Sequence, residues 1–222
     1  MVAFILASQS PRRQMLVSLL GYPVSVMVAD ADEASVTHPD PAVNVVKTAV
    51  LKANIIAAQL QADDRIIIAA DTTVALADQL LGKPRDAAEA TWMLQSLRNR
   101  SHHVHTGFVL LDLRTGIWLK QVATAVVTMR DYSDEEIAAY VASGNPFDKA
   151  GAYAIQHPVF KPAVHLEGCY TAVMGLPVCD LILALAELNL PRQADLTAVY
   201  NAHQVAGFDF PCPVYEQYLA PG

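Results

Sequence analysis

Ser8-Gln9-Ser10-Pro11-Arg12-Arg13 brings two hydroxyls and two guanidinium groups into six positions. Ser10 is a natural helix N-cap, and Pro11 suits the first helical position because its missing N–H costs nothing there. The free N–H groups and positive dipole end of that helix then face the same place as the arginines. Such a place suits an anion, phosphate first of all. A capped helix carrying two solvated arginines is the equal alternative. Asp71-Thr72-Thr73 closes a β-branched run, and an acid at the carboxyl end of a buried strand stands where α/β proteins bind ligands. Asp30, Asp32 and Glu33 crowd three acids into four positions, as a solvated turn does more often than a cation site. Gly82-Lys83-Pro84 offers close backbone approach and a lysine in a stiffened loop. His103 and His105 would share one strand face as a metal pair, with no third ligand in evidence.

These groups need elements to hold them. Val2 to Ala7 reads as a short buried strand, and Met15, Leu16, Leu19 and Leu20 lie on one face of a helix stopping at Gly21. A second strand is expected from Tyr22 to Ala29. Val43, Val46, Val50, Ala53, Ala57 and Leu60 recur at helical spacing, with Lys52 off that stripe, where a lysine usually faces water. Arg65 to Ala70 reads as a central strand that Val74 to Ala77 extends toward a hairpin. Asp86 with Glu89, and Ser133 with Glu136, are capping-box starts for two further helices. Between them, Val104 to Leu111 and Ile117 to Arg130 form two long strands around a turn at Asp112 to Gly116. Lys149 to Gln156 is dense in small residues, so backbone can approach a ligand closely. Gly168 to Gly175 suggests a strand, and Val178 to Leu190 a helix opened by Pro177. Alternation followed by a long hairpin predicts an α/β fold with a mixed sheet. The polar, Pro-rich stretch beyond Pro191 reads as a tail packed on the surface or against a partner.

The 222 residues, 53% hydrophobic and 17% charged, suit one large domain or two tightly joined lobes. A net charge of -7 argues against a generic nucleic-acid surface, while a local basic pocket would suit a nucleotide. No apolar run has the length of a membrane span, and no secretory leader is recognisable, so the expected location is cytoplasmic. Cys169, Cys179 and Cys212 are odd in number and not at metal-ligand spacings, as buried or free thiols in a reducing compartment would be.

Taken together, the motifs resemble the Maf-like family of nucleoside triphosphate pyrophosphatases. They are Ser8 to Arg13, Asp32-Glu33, Lys52-Ala53, Ala70-Asp71-Thr72, Leu81 to Pro84, His102-His103-Val104 with Thr106-Gly107, Lys149 to Gln156, and Gly175-Leu176-Pro177. The resemblance covers roughly Phe4 to Leu190, implies a single domain of two lobes over residues 1–190, and leaves residues 191–222 outside it. It implies an elongated mixed β-sheet with flanking helices, as two lobes around a cleft in the manner of Maf and ITPase proteins. It also implies hydrolysis of a nucleoside triphosphate to monophosphate and pyrophosphate with a divalent cation, Mg²⁺ or alternatively Mn²⁺. House-cleaning of nucleotides and an association with arrest of septum formation come with the family. A homodimer is implied too, though no feature here demands it; no nucleic-acid polymer or membrane partner is.

By resemblance Asp71 is the proton acceptor, and Ser8, Arg12, Arg13, Glu33, Lys52 and Lys83 match polar active-site positions. The chemistry agrees: attack of water on the α-phosphorus needs a base, a polarising cation and positive groups for the charge developing on pyrophosphate. Asp71 can serve as base and, with Glu33, as oxygen ligands to the metal. Arg13, Lys52 and Lys83 supply charge, and the Ser10-Pro11 helix start supplies N–H donors. Substrate choice has a handle. The branch similar to 7-methyl-GTP pyrophosphatases tends to carry Trp, Gln and Glu where this chain has Arg12, Thr72 and Gln156, the residues of the dTTP- and UTP-preferring branch. The Gln156 amide can donate to a uracil or thymine carbonyl and accept from the ring N–H. Arg13 is therefore expected on phosphate and Arg12 beside the base. A 7-methyl-GTP or other modified-nucleotide pyrophosphatase is the alternative enzyme, and a regulator of septum formation that binds nucleotide with little turnover is the alternative of another class. Three departures stand out: Asn99 for the usual Gly, a glycine-poor stretch after Gln156, and Gly168-Cys169-Tyr170 for Gly-Ser-Tyr.

Overall fold

The computed structural model describes residues 2–60, 64–204 and 212–219. Seven strands form one mixed sheet in the order β2-β1-β3-β5-β6-β7, with β4 paired to β3. They are β1 (Phe4–Leu6), β2 (Val24–Val26), β3 (Ile66–Leu76), β4 (Gln79–Leu81), β5 (Ser101–Asp112), β6 (Ile117–Met129) and β7 (Ala163–Glu167). The first β-α-β unit is parallel: β1 pairs with both β2 and β3 in that sense, and the remaining pairings are antiparallel. The expected mixed α/β sheet is the observed one.

Alternation along the strands divides the core between the two faces of the sheet. Ile5, Ala7, Ile67, Ala69, Val109 and Leu111 point to one side, where Ala49, Ala53 and Ile56 of α2 (Pro41–Ala58) cover them. Phe4, Leu6, Ile66, Ile68, Ala70, Phe108 and Leu110 point to the other. There they meet α1 (Pro11–Ser18), α3 (Ala87–Leu97), α4 (Asp134–Ala142), the one-turn helix α5 (Tyr170–Val173) and α6 (Val178–Glu187).

A gap in strand pairing prepares the site. β1 pairs with β3 over Ile66–Ile68, and β4 takes the same edge over Val74–Leu76. Among the described residues no strand pairs with that edge between them, around Asp71 and Thr72. On its other edge β3 is fixed by a continuous ladder to β5, with Asp71 opposite Gly107 and Thr72 opposite Thr106. Gly107 has a packing reason: a Cβ there would lie 2.6 Å from the backbone nitrogen of Val46. The absent side chain lets α2 rest directly on β5.

The structure corrects several expectations. The buried face of α2 is Val45, Thr48, Ala49, Lys52, Ala53 and Ile56; of the expected stripe Ala53 is fully buried, Val50, Ala57 and Leu60 pack against the core partly buried, and Val43 is exposed. This helix is apolar around most of its circumference, so periodicity alone could not choose the face. Lys52 is consequently buried instead of facing water. The strand expected over Gly168 to Gly175 is the helical turn α5, and β7 lies before it; Gly168, at φ +112°, ends the strand. The stretch after Pro191 is no surface tail: α7 (Leu196–His203) buries Val199 and His203, and Cys212, Tyr215 and Leu219 join the main core.

The Gly107 contact yields a test. Gly107→Ala forces a methyl group against α2 backbone and should cost about 1–3 kcal/mol, as overpacking does. Urea denaturation checks it, and unchanged stability would mean that α2 is not seated on β5 at this point.

Candidate active site

Alternation along β3 sends Asp71 toward α2 and Thr72 toward the opposite face. On the α2 side, Lys52 Nζ lies 2.8 Å from Asp71 Oδ1 and 2.9 Å from Glu33 Oε1. Glu33 opens a 3-10 turn (Glu33–Ser35) after β2 and turns toward the lysine. Burial works to raise the Glu33 carboxyl, but Lys52 outweighs it with help from Lys83 and Arg13, and the group sits below its ordinary range. The buried ammonium is therefore compensated by two carboxylates, as burial of a charge requires.

On the other face Arg13 is fastened at two points. Its Nε donates to Gly175 O at 2.7 Å, and its Nη2 donates to Thr72 Oγ1 at 3.1 Å. Thr106 Oγ1 donates to Ala172 O at 2.8 Å, so the 2.9 Å contact between Thr72 and Thr106 is a donation from Thr72. Arg13, Thr72, Thr106 and α5 thus form one directed chain of hydrogen bonds. Burial lowers the Arg13 guanidinium from its usual value, and the charges of Asp71 and Glu33 oppose that; an arginine remains a cation under such conditions.

The loop that enters α1 completes this wall. Ser10 caps the helix, its Oγ accepting from Arg13 N at 3.5 Å with Pro11 in the first turn, and Ser8 Oγ accepts from Ser10 N at 3.1 Å. Arg12 reaches across the cleft to Asp148, 3.0 Å from its carboxylate. Asp148 also pairs with Lys149.

Except for Thr106 and Ala172, which lie behind it, these groups line one cleft of about 680 Å³. Ser8, Ser10, Arg12, Arg13, Glu33, Lys52, Asp71, Thr72, Lys83 and Gln156 all border it, whereas Asp30, Asp32, His103 and His105 do not. Gly82 O accepts from Gly151 N at 3.1 Å, which ties the Lys83 loop to the turn that leads to Gln156. Asn44, Thr48, Asp148 and Tyr153 border the cleft too and were not singled out. For Asn44 and Thr48 the available signal was spacing, since positions 44, 48 and 52 recur one helical turn apart on the face that carries Lys52.

Lys52 engages one oxygen of each carboxylate, and the second oxygens of Asp71 and Glu33 suit a hard divalent cation. The donor set therefore fits an oxygen-bound metal. His103 and His105 do not gain a third ligand among the described residues. Their rings stack 5.9 Å apart, and His105 Nδ1 lies 2.9 Å from Thr124 Oγ1.

A sheet edge left open over an acid, beside a buried lysine, a half-buried arginine and a capped helix start, defines an α/β protein built to hold a polyanion. The chain matches the Maf-like protein family over residues 3–188 and belongs to it. A dTTP/UTP pyrophosphatase of Syntrophotalea carbinolica is 42% identical over 188 residues, covering 85% of this chain and 86% of that protein. One of Chlorobium phaeovibrioides is 42% identical over 192 residues, covering 83% and 96%. Another, of Bacillus cytotoxicus, is 37% identical over 189 residues, covering 85% and 97%. Among solved structures, a HAM1 protein from Coxiella burnetii aligns over 84% of this chain and 100% of that one at 18% identity and a TM-score of 0.45, too loose a fit to carry an argument.

Behind the cleft, His102 Nε2 lies 2.8 Å from the hydroxyl of Tyr153, and burial, with a smaller push from His103, lowers His102 to about 4. The folded chain thus holds this imidazole neutral, while the unfolded chain protonates it below about pH 6.5. The contribution to stability is complete above that pH and shrinks as pH falls from about 6.5 toward about 4. Denaturation curves at a series of pH values should show a loss of up to ~1.4 kcal/mol per pH unit in that window. His102→Gln should flatten the slope, and equal slopes would show that His102 is charged in the folded chain.

Proposed function

We propose that this chain hydrolyses dTTP and UTP to the monophosphate and pyrophosphate. The observation that carries it is Asp71, set at the open edge of β3 and bonded at 2.8 Å to the buried Lys52, in a cleft bordered by Arg13, Lys83 and the start of α1. The names of relatives at about 40% identity over most of the chain support the same reaction.

In this reading Asp71 takes the proton of the attacking water, which lies on the α-phosphorus of the bound nucleotide. Lys52 orients the carboxylate through Oδ1, so that its second oxygen is aimed into the cleft. Lys83 and Arg13 offset the charge that builds on the leaving pyrophosphate, Arg13 from a position already fixed by Gly175 O and Thr72. The N–H groups at the Ser10 cap bind phosphate oxygens, with Ser8 holding the loop in shape. A divalent cation held by Glu33 and Asp71, Mg²⁺ with Mn²⁺ as the alternative, would polarise the phosphoryl oxygens when bound. Gln156 reads the pyrimidine edge through its amide. Arg12, bridged to Asp148 across the cleft, closes the base end, and Thr72 keeps Arg13 aimed. The two sides of the cleft act as lobes around the nucleotide, which is drawn from the cytoplasmic pool.

A panel of nucleotides incubated with the purified chain and Mg²⁺ tests this. Pyrophosphate should be released from dTTP and UTP in preference to 7-methyl-GTP; release of orthophosphate, or no turnover of either pyrimidine, would refute it. Asp71→Asn should lower kcat about 10²–10⁴-fold, the range for loss of a general base, with an unchanged circular dichroism spectrum. Gln156→Glu sets a carboxylate against a base carbonyl and should lower kcat/KM for dTTP about tenfold, the equivalent of ~1.4 kcal/mol. An unchanged ratio of dTTP to 7-methyl-GTP turnover would remove Gln156 from base selection.

A further inference from the structure

Away from the cleft, four side chains capable of binding metal converge: Cys169, Cys179, His203 and Cys212, all buried, with their ligand atoms within 4.8 Å of one another. Cys169 stands at the N-cap of α5 and Cys179 in the first turn of α6. His203 is the last residue of α7, and Cys212 begins the segment that leads into the turn Tyr215–Leu219. The three thiols are free. We propose that these four residues form a closed zinc site that fastens the C-terminal segment to the wall behind the cleft.

Three of the separations lie close to the edges of a tetrahedron, within a cluster no wider than 4.8 Å. Zinc bonds of about 2.3 Å to sulfur and about 2.0–2.1 Å to nitrogen require edges of roughly 3.8 Å between sulfurs and roughly 3.6 Å between sulfur and nitrogen. The Cys212–Cys179 sulfur separation is 3.8 Å, and His203 Nε2 lies 3.6 Å from Cys179 Sγ and 3.3 Å from Cys169 Sγ. A sulfur pair at 3.8 Å is far outside disulfide bonding, at about 2.05 Å.

The surroundings orient the ligands as an outer shell does. His203 Nδ1 lies 2.8 Å from Val199 O, its hydrogen-bond acceptor. That places the ring proton on Nδ1 and leaves the lone pair of Nε2 directed at the three sulfurs. Thr171 Oγ1 accepts from Val178 N at 3.1 Å, so its own proton is free to point at Cys169 Sγ, also 3.1 Å away. A hydroxyl donating to sulfur suits a thiolate. Three sulfurs and one imidazole favour zinc over Mg²⁺ or Ca²⁺, which take oxygen ligands. Four protein ligands fill the tetrahedron and leave no open position, so the site is structural. On binding, the thiols release their protons to solvent.

The site has a mechanical address. Cys169 and Cys179 bracket the stretch whose carbonyls at Ala172 and Gly175 hold Thr106 and Arg13. His203 and Cys212 both lie beyond the family match, which ends at residue 188.

The untagged full chain, produced with zinc in the medium and exchanged into metal-free reducing buffer, should retain one zinc per chain by elemental analysis. X-ray absorption at the zinc edge should show three sulfurs and one nitrogen, and cobalt exchange should give the intense visible bands of tetrahedral thiolate coordination. Asp71→Asn should keep the full zinc content, which separates this site from the carboxylates of the cleft. Cys212→Ser should lose it, and the wild-type chain should melt at a lower temperature once chelator has removed the metal. Substoichiometric zinc in the wild-type chain, an oxygen-dominated absorption spectrum, or a disulfide among the three cysteines in the freshly purified chain would each overturn the assignment.

Discussion

A charged lysine inside the fold constrains everything around it. Lys52 is only 6% exposed, and an ammonium taken out of water must be met by opposite charge or it will not stay ionised. Asp71 and Glu33 meet it from two separate elements, the middle of β3 and the turn after β2. The helix that carries the lysine can come close enough only because β5 has no side chain at Gly107. The ion pairs, the open strand edge and the helix seat are therefore one arrangement. Each would be costly alone, and together they leave two carboxylates compensated, fixed in direction and accessible from the cleft.

The opposite wall is built from neutral dipoles. Arg13 is held by a backbone carbonyl and by a threonine whose hydroxyl is itself oriented by a second threonine and a second carbonyl. Its direction thus depends on α5 being a helical turn, because that turn presents Ala172 O toward the sheet and leads directly into Gly175, whose carbonyl takes the second bond. The small residues of the segment from Lys149 to Gln156 close the remaining side at backbone distance, with Gly151 N on Gly82 O. Acid and cation face each other across a single strand, and the two sets of supports do not share a residue.

The sequence made the local chemistry legible and left much of the long-range placement hidden. Ser10-Pro11 read as a helix start because capping depends only on residues within one turn, and the structure has that cap. Asp71 was visible as the acid that closes a β-branched run, but it does not stand at the carboxyl end of a strand: β3 continues to Leu76, and what opens the acid to the cleft is the gap between β1 and β4 on that edge. The orientation of Lys52 was not, since α2 offers apolar residues on nearly every side and only packing against β5 selects one. Asp148 as the partner of Arg12 lies 136 positions away and has no local mark. The stretch after Gly168 has strand-like residues, yet its carbonyls are recruited by Thr106 and Arg13, and that tertiary demand makes it helical. The four thiol and imidazole ligands escaped because they sit on four separate segments, with none of the short spacings that mark zinc fingers.

Strand register acts in this protein as a chemical selector. Because β3 sends Asp71 to one face and Thr72 to the other, a slip of one residue against β5 would turn the acid away from Lys52. A slip in one direction would set Thr72 against Lys52 and Thr73 against Arg13; in the other, Ala70 would meet Lys52 and the Asp71 carboxylate would meet Arg13. The ladder between β3 and β5 runs continuously from Ile66 to Ala75 and that between β5 and β6 from Ser101 to Asp112. A single inserted or deleted residue between Ile68 and Val74 would break the phase between the paired ends of β3. The tight turn at Asp112 to Gly116, at the far end of the hairpin, can change length without touching it. Variation in chain length should therefore collect at that turn and be purged from β3, whatever residues those positions hold.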